Sequence, residues 1–507
     1  MSHRIRNASL ASRIVTAEEA AGWIEDGMTV ALGGFAQTGD AKAVPRALVE
    51  RVRREGRPFK INLFTGASIN SQTDGLFAEA GIVNLRLPYQ SEKRMRNEIN
   101  AGHVKYIDQH LSHTAEVLRQ GVLPPIDVAL VEAVAITEEG WIVPTTSVGN
   151  APIFLEQAKT VIVELNEAQP ESLEGVHDIY LPGPQGQREP LPLTRGDMRI
   201  GTTAMRVDPD KIKGIVLTNE PDMAAPIVPP DEETARMAGY LLEFLQHEVK
   251  AGRLPRQLPP LQSGVGSVAN AVLHGFLQAD LGMLDVYSEV LQDAVFDLLD
   301  AGYVRYASAS SITLSERKVK SVMADFARYR DRVILRPQEI SNHPEIVRRL
   351  GLISINAAIE ADIYGNVNST HVLGTRMMNG IGGSGDFARN ARLTVFVTKS
   401  VAKGGSISSI VPFVSHVDHT EHDVDVIVTE QGLADLRGLS PRERAKAIIE
   451  KCAHPMYRPQ LEAYFEEALA RGGHTPHVLE KALMWHVRYE QEGTMLESKA
   501  APAPTHS

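Results

Sequence analysis

Short apolar runs recur along the chain, each closed by glycine or proline and each followed by a stretch with helical spacing. MTVALGGF, KINLFTGA, IDVALVEAVAI and TVIVEL stand in the first half, and GLISINAAIEADI, LTVFVTKS and VDVIVTE in the second. Runs that are apolar on both faces suit buried parallel strands, and their alternation with helical patterns predicts an α/β chain with largely parallel sheets. Between the halves, EPDMAAPIVPPDEETA at residues 220 to 235 predicts a surface linker with a helix from about Glu233 onward. The expected organisation is a domain over 1–225, a linker over 226–235, a second domain over 236–490, and a disordered tail over 491–507 that closes in ESKAAPAPTHS.

The two halves resemble each other. AVAITEEGWIV (Ala133 to Val143) and AIEADIYGNVN (Ala358 to Asn368) each run a strand into a turn whose glycine, Gly140 or Gly365, lies seven residues on. GASINSQTDGLFAEAGIV and YSEVLQDAVFDLLDAGYV align on their AGIV and AGYV endings, which sets Ser68 opposite Glu289. AKTVIVEL and ARLTVFVT follow in the same order. Two related open α/β domains are expected, with the site between them.

In DVYSEVLQDAVFDLLDAG, apolar residues at Val290, Leu291, Ala294, Val295, Leu298 and Leu299 have the one-sided spacing of a helix ending at Gly302. Glu289 would then stand on a strand-to-helix corner, near the positive end of the helix dipole. From position alone it is either a helix cap or a nucleophile.

Two glycine-rich turns accompany it. LQSGVGSVANAVL holds Gly264 and Gly266 around Val265, and MNGIGGSGDFARNA holds Gly380, Gly382, Gly383 and Gly385 ahead of Asp386. Such turns can be merely tight, or can aim bare N–H groups at an anion or a developing oxyanion. GIGGSG lies too late in the chain for a dinucleotide fingerprint. Lys403 before Gly404 and Gly405 offers a cation beside open backbone, and Thr429, Glu430 and Gln431 end a buried strand. His416, His419 and His422 fall in a polar loop, SHVDHTEHDVD, where three-residue spacing does not gather side chains, so no metal site is expected. Neither a Gly-x-Ser-x-Gly elbow nor a Gly-Lys-Ser/Thr phosphate loop is present.

Composition narrows the classes. The 507 residues carry a net charge of −11 with basic residues interspersed among acidic ones, which argues against nucleic-acid binding. The one cysteine, Cys452, permits no disulfide within the chain, and no stretch reaches membrane-span length. A cytoplasmic protein with no membrane partner is expected.

Taken together, GGFAQTGDAKAVP, FTGASI, LQSGVGSVANAVL, YSEVLQDAVFDLLDAG, ISNHPEIVRRLGLISINAAIEADIYGNVNST, GIGGSGDFARNA, AKGGSISSIVP and VTEQGLADLRG resemble the acetyl-CoA hydrolase/transferase branch of the class I coenzyme A transferases. The resemblance spans nearly the whole chain. It implies a homodimer of chains with paired α/β domains, and Glu289 as a nucleophile that passes through an acyl-glutamyl anhydride to a glutamyl-CoA thioester. Val265 and Gly383 would give backbone N–H groups to the oxyanion hole. Asn342 and Lys403, with Gly264, Gly266 and Gly382, would contact coenzyme A, and Ser68 and Glu430 would line the active site. The implied reaction moves coenzyme A from a thioester such as succinyl-CoA to a small acid such as acetate, without a resident cofactor or metal. Hydrolysis of acetyl-CoA, or ligand binding without catalysis on the same scaffold, are the alternatives.

Overall fold

The computed structural model describes residues 2–225, 230–264, 266–279 and 281–497. The first half builds a seven-stranded, all-parallel sheet from β1 (Thr29–Leu32), β2 (Ile61–Phe64), β3 (Val83–Leu87), β4 (Lys105–Tyr106), β5 (Val128–Ala133), β6 (Thr160–Asn166) and β7 (Ile212–Thr218). Their order is β4-β3-β2-β1-β5-β6-β7. The second half follows with β8 (Leu261–Ser263), β9 (Leu284–Tyr287), β10 (Val304–Ala309), β11 (Val333–Leu335), β12 (Ile353–Ala357), β13 (Leu393–Val397), β14 (Val426–Thr429) and β15 (Gly432–Asp435). The order is β11-β10-β9-β8-β12-β13-β14-β15, parallel except for the last strand.

The first seven places of the two orders correspond strand for strand, so the repeat seen in the sequence is a repeat of topology. The antiparallel hairpins Ala135–Ile136/Ile142–Val143 and Glu360–Asp362/Val367–Asn368 leave β5 and β12 in matching places. Val83 and Val304, paired by the sequence alignment, both begin a strand. Strands β5 and β13 are buried along their length, the reason each reads as a continuous apolar run. One apolar core continues through both sheets, from Leu10 and Val131 to Leu261, Leu298 and Val428. Each fully buried leucine in it contributes roughly 1.5–3 kcal/mol.

Three expectations need correction. Residues 220 to 225 are not a free surface linker. The Asp222 carboxylate is tucked into the first half, where it accepts from Lys42 Nζ (3.0 Å), Gln169 (2.9 Å) and the Gly39 N–H (3.1 Å). Lys42 also pairs with Glu132 (2.5 Å), and both side chains are almost fully buried. A buried lysine between two carboxylates anchors this strand of chain, because stripping either partner would leave an uncompensated charge out of water. The helix after it starts at Glu232, in keeping with the expected start near Glu233, so that only the 226–235 linker is shortened, with Asp231 accepting from the Thr234 N–H as the helix cap. The expected tail from 491 is packed as far as residue 497: a helix runs Met484–Glu492, and the fully buried Met495 donates its N–H to the Ser406 carbonyl (2.8 Å). The remainder of that tail, 498–507, lies outside the described residues. Among the described residues, no helix is long and apolar enough to cross a membrane.

Candidate active site

Both sheets direct the loops after their strands into one cavity of about 560 Å³. From the first half come Phe35, Ala36 and Gln37 after β1, Ala67 and Ile69 after β2, and Tyr89 after β3. From the second come Gly264 and Gly266 after β8, Glu289 and Val290 after β9, and Asn356 and Ala357 at the end of β12. Carboxyl ends of parallel strands are where open α/β sheets bind ligands. Here two such edges face each other.

Glu289 is the one charged side chain among the described lining residues. It is not a helix cap. Val290 and Leu291 form a two-residue strand paired with Ser311 and Ile312, and the helix begins only at Asp293, with Gln292 in the cap position. The apolar spacing from Val290 to Leu299 fits both readings, since two strand residues followed by a helix can mimic one longer helix. The Glu289 carbonyl accepts the N–H groups of Ser310 (2.8 Å) and Ser311 (3.1 Å), which fixes the corner on which the side chain stands.

Asn342, fully buried at the end of a helix running Gln338–Ser341, donates its amide N–H to Glu289 Oε1. Its own oxygen accepts from Ser341 Oγ (2.8 Å), so the amide is oriented. Burial pushes the Glu289 carboxyl up to about 7, and the bond from Asn342 works against that rise. Gly383 sits directly over the carboxylate: a Cβ there would lie 1.6 Å from Glu289 Oε1 and 2.2 Å from Asn342 Nδ2. Only glycine lets this backbone approach. Asp386, three residues on, accepts from the Ser112 N–H (3.0 Å) and hydroxyl (2.6 Å), and burial pushes its carboxyl up to about 7 as well. In the sequence Asp386 is only a residue beyond a glycine run; nothing there ties it to Ser112, 274 positions away.

The expected site residues separate into two groups. Glu289, Gly264, Gly266, Gly382 and Gly383 line the cavity, and Asn342 touches Glu289 from behind. Val265 lies outside the described residues. Ser68 follows β2 as Glu289 follows β9, yet its hydroxyl points away from the cavity, lying 3.0 Å from both the Asp40 and the Asp74 carboxyl and able to donate its one proton to either. Its neighbours Ala67 and Ile69 line the wall, so Ser68 braces the lining instead of forming it. Glu430 directly follows β14 and accepts the Ser400 N–H (2.8 Å) and hydroxyl, outside the lining. Lys403 is exposed in a single turn with Gly404 and Gly405, also outside it. The three histidines diverge: His416 stacks on His371 at 3.9 Å, His419 is buried with its imidazole pushed down to about 4 by burial, and His422 is exposed.

Residues that sequence reading missed form the apolar wall from the first half. Phe35, Ala36, Ala67, Leu111 and Tyr89 pack with Val290 beside the carboxylate. Ala36 holds φ at +56° and exchanges backbone bonds with the next loop, its N–H to the Ala67 carbonyl (3.1 Å) and its carbonyl from the Ile69 N–H (2.8 Å). A strained residue locked this way marks a wall with a fixed shape. In the sequence, the only signal was the glycines of GGFAQTG.

Comparison with known proteins gives this arrangement its place. The acetyl-CoA hydrolase/transferase N-terminal domain matches residues 1–226, and the C-terminal domain of the same name matches 320–465. A succinyl-CoA:acetate CoA-transferase of Clostridium kluyveri is 53% identical, over 97% of this chain and 92% of its own. An acetyl-CoA hydrolase of Schizosaccharomyces pombe is 44% identical, over 98% of each. RipA from Yersinia pestis superposes with a TM-score of 0.69 at 22% identity, covering 91% of this chain and 98% of that one, a likeness of fold. With both halves matched by their family and relatives aligned almost end to end, the chain is an enzyme of the acetyl-CoA hydrolase/transferase family.

Proposed function

We propose that this enzyme transfers coenzyme A between an acyl-CoA thioester and a small carboxylic acid, with Glu289 as the covalent carrier. One observation carries the reading: a partly buried carboxylate whose burial raises its pKa, at the meeting of two strand-end clefts, with the Gly383 backbone against it. A hydrated carboxylate is a poor nucleophile, whereas a desolvated one held against a thioester can attack it.

Glu289 adds to the thioester carbonyl, and the negative charge moves to that oxygen, where a backbone N–H from a glycine turn stabilises it by a few kcal/mol. Collapse expels coenzyme A thiolate and leaves an acyl-glutamyl anhydride. The thiolate returns to the glutamyl carbonyl, the first acid departs as a carboxylate, and glutamyl-CoA remains. A second carboxylate then runs the steps in reverse. Bonds and charge balance without ATP, a metal or a redox partner, and ping-pong kinetics follow. The similarity to a succinyl-CoA:acetate CoA-transferase supports succinyl-CoA and acetate as the first pair to assay. The homodimer expected from the resemblance and the cytoplasmic setting expected from composition belong to this same proposal.

A hydrolase reading has one observation in its favour, the similarity to a protein named acetyl-CoA hydrolase. The deciding assay follows acetyl-CoA loss with and without succinate. A transferase is nearly silent until the acid is added and leaves a borohydride-reducible thioester on Glu289. Rapid loss without an acceptor assigns hydrolysis, and the lack of any trapped glutamyl group removes the covalent route.

The pH profile supplies a second check. Ionised Glu289 is the nucleophile, so kcat/KM rises with pH and levels off above about 7. Below that value it falls roughly tenfold per unit for a single proton. Asp386 titrates in the same range beside it, so the measured midpoint belongs to the pair.

A further inference from the structure

The loop from Met377 to Asp386 belongs to the second half by sequence, but the first half holds it. Asn100 clasps Met377 at both ends, accepting its N–H (2.9 Å) and donating to its carbonyl (2.8 Å). Gly380 donates its N–H to the Gln90 carbonyl (3.0 Å). Ile381 donates its N–H to both oxygens of the Asp108 carboxylate (3.0 and 2.9 Å). The Gly382 carbonyl accepts the Leu111 N–H (3.4 Å), and Asp386 takes the two bonds from Ser112. Contacts from the loop's own half lie toward its two ends, as in the bond from the Met378 N–H to the Thr370 carbonyl (2.8 Å) and that between Ser384 and His419 (3.1 Å).

The glycines fit the same pattern. A Cβ on Gly380 would fall 2.4 Å from the Tyr106 hydroxyl and 2.6 Å from Asp108, and one on Gly385 would fall 2.3 Å from His110. These two glycines serve the close approach of the first half, while Gly383 serves Glu289. Gly383 is therefore bracketed, two residues before by the bond to Asp108 and three residues after by those to Ser112.

We propose that Asp108 and Ser112 of the first half are positioning residues, which set the glycine loop of the second half so that the Gly383 backbone lies correctly against Glu289. This rests on the covalent reading above. It makes the site a joint product of the two halves: neither sheet alone fixes the distance between the nucleophile and the group that meets the developing oxyanion. Placement errors near 1 Å cost on the order of 10²-fold in rate, so a slackened loop shows in turnover before it shows in stability.

The test compares Asp108→Ala, Asp108→Asn and Ser112→Ala in the full-length protein, with acetyl-CoA and succinate as substrates. Asp108→Ala lowers kcat by about 10²-fold with little change in the KM for acetyl-CoA. Asp108→Asn keeps an amide oxygen for the Ile381 N–H and recovers most of that loss. Ser112→Ala, which retains its backbone bond to Asp386, falls between, and it serves alone if the Asp108 variants do not fold. Unchanged kcat overturns the proposal, as does an equal fall in kcat and melting temperature with no recovery in Asp108→Asn. Borohydride trapping on the unmodified enzyme separates the two claims: an unlabelled Glu289 removes the covalent reading even if these variants slow turnover.

Discussion

Glu289→Gln loses coenzyme A transfer by a factor on the order of 10⁴ or more, the scale seen when a covalent nucleophile is removed, while the protein stays folded. The stability side of the result has a definite sign. The folded enzyme holds this carboxyl at about 7, above its ordinary value of 4.5, so the folded state binds the proton more tightly than the unfolded chain does. Its contribution to stability therefore declines as pH rises from about 4.5 to about 7 and stays low beyond. Glutamine has the same shape and no charge to bury. The variant's melting temperature consequently matches that of the unmodified enzyme near pH 4.5 and equals or exceeds it above pH 7. Melting scans across that window, beside the transfer assay, measure both. A variant that lost stability at pH 8 while keeping activity would make Glu289 a structural acid.

Gly383→Ala carries the second large effect. The added methyl needs the space now held by Glu289 Oε1 and Asn342 Nδ2, and the two groups cannot keep their bond while making room for it. The backbone there, at φ −92°, is acceptable to alanine, so the cost falls on the site and not on the fold. Turnover drops by at least about 10²-fold, as expected when a reacting group is displaced by an ångström or more. Thermal unfolding moves little. Gly382→Ala makes a useful contrast, because its φ of +59° loads strain on the loop while the nearest side chain to the new methyl is Tyr89 at 3.4 Å. A loss as large at 382 as at 383 would show that loop strain governs the rate, with no special role for the contact at Glu289.

Much of the fold was legible before any coordinates. Runs such as IDVALVEAVAI and LTVFVTKS read as buried parallel strands because both faces of β5 and β13 are covered. The alignment of AGIV with AGYV succeeded because both segments enter a strand at the same place in two sheets of matching order. Local chemistry misled where distant partners override it. Pro and acidic residues made 220 to 225 look like solvent-facing chain, yet Asp222 is drawn inward by Lys42, 180 positions earlier. Ser68 and Glu289 follow corresponding strands, but the Ser68 hydroxyl turns toward Asp40 and Asp74, leaving its neighbours to form the wall.

By itself, the sequence determined the α/β class, the duplicated halves, the strand-end position of Glu289 and the glycine turns near it, since all of these follow from short-range periodicity and from residues that permit unusual backbone paths. Tertiary structure alone decided that Glu289 is partly shielded from water, that Asn342 and Gly383 meet it, and that Asp108 and Ser112 of one half grip the glycine loop of the other. Those outcomes depend on hydrogen bonds and burial between segments as far apart as 274 residues. A one-dimensional pattern carries no record of such distances until the two halves are folded together.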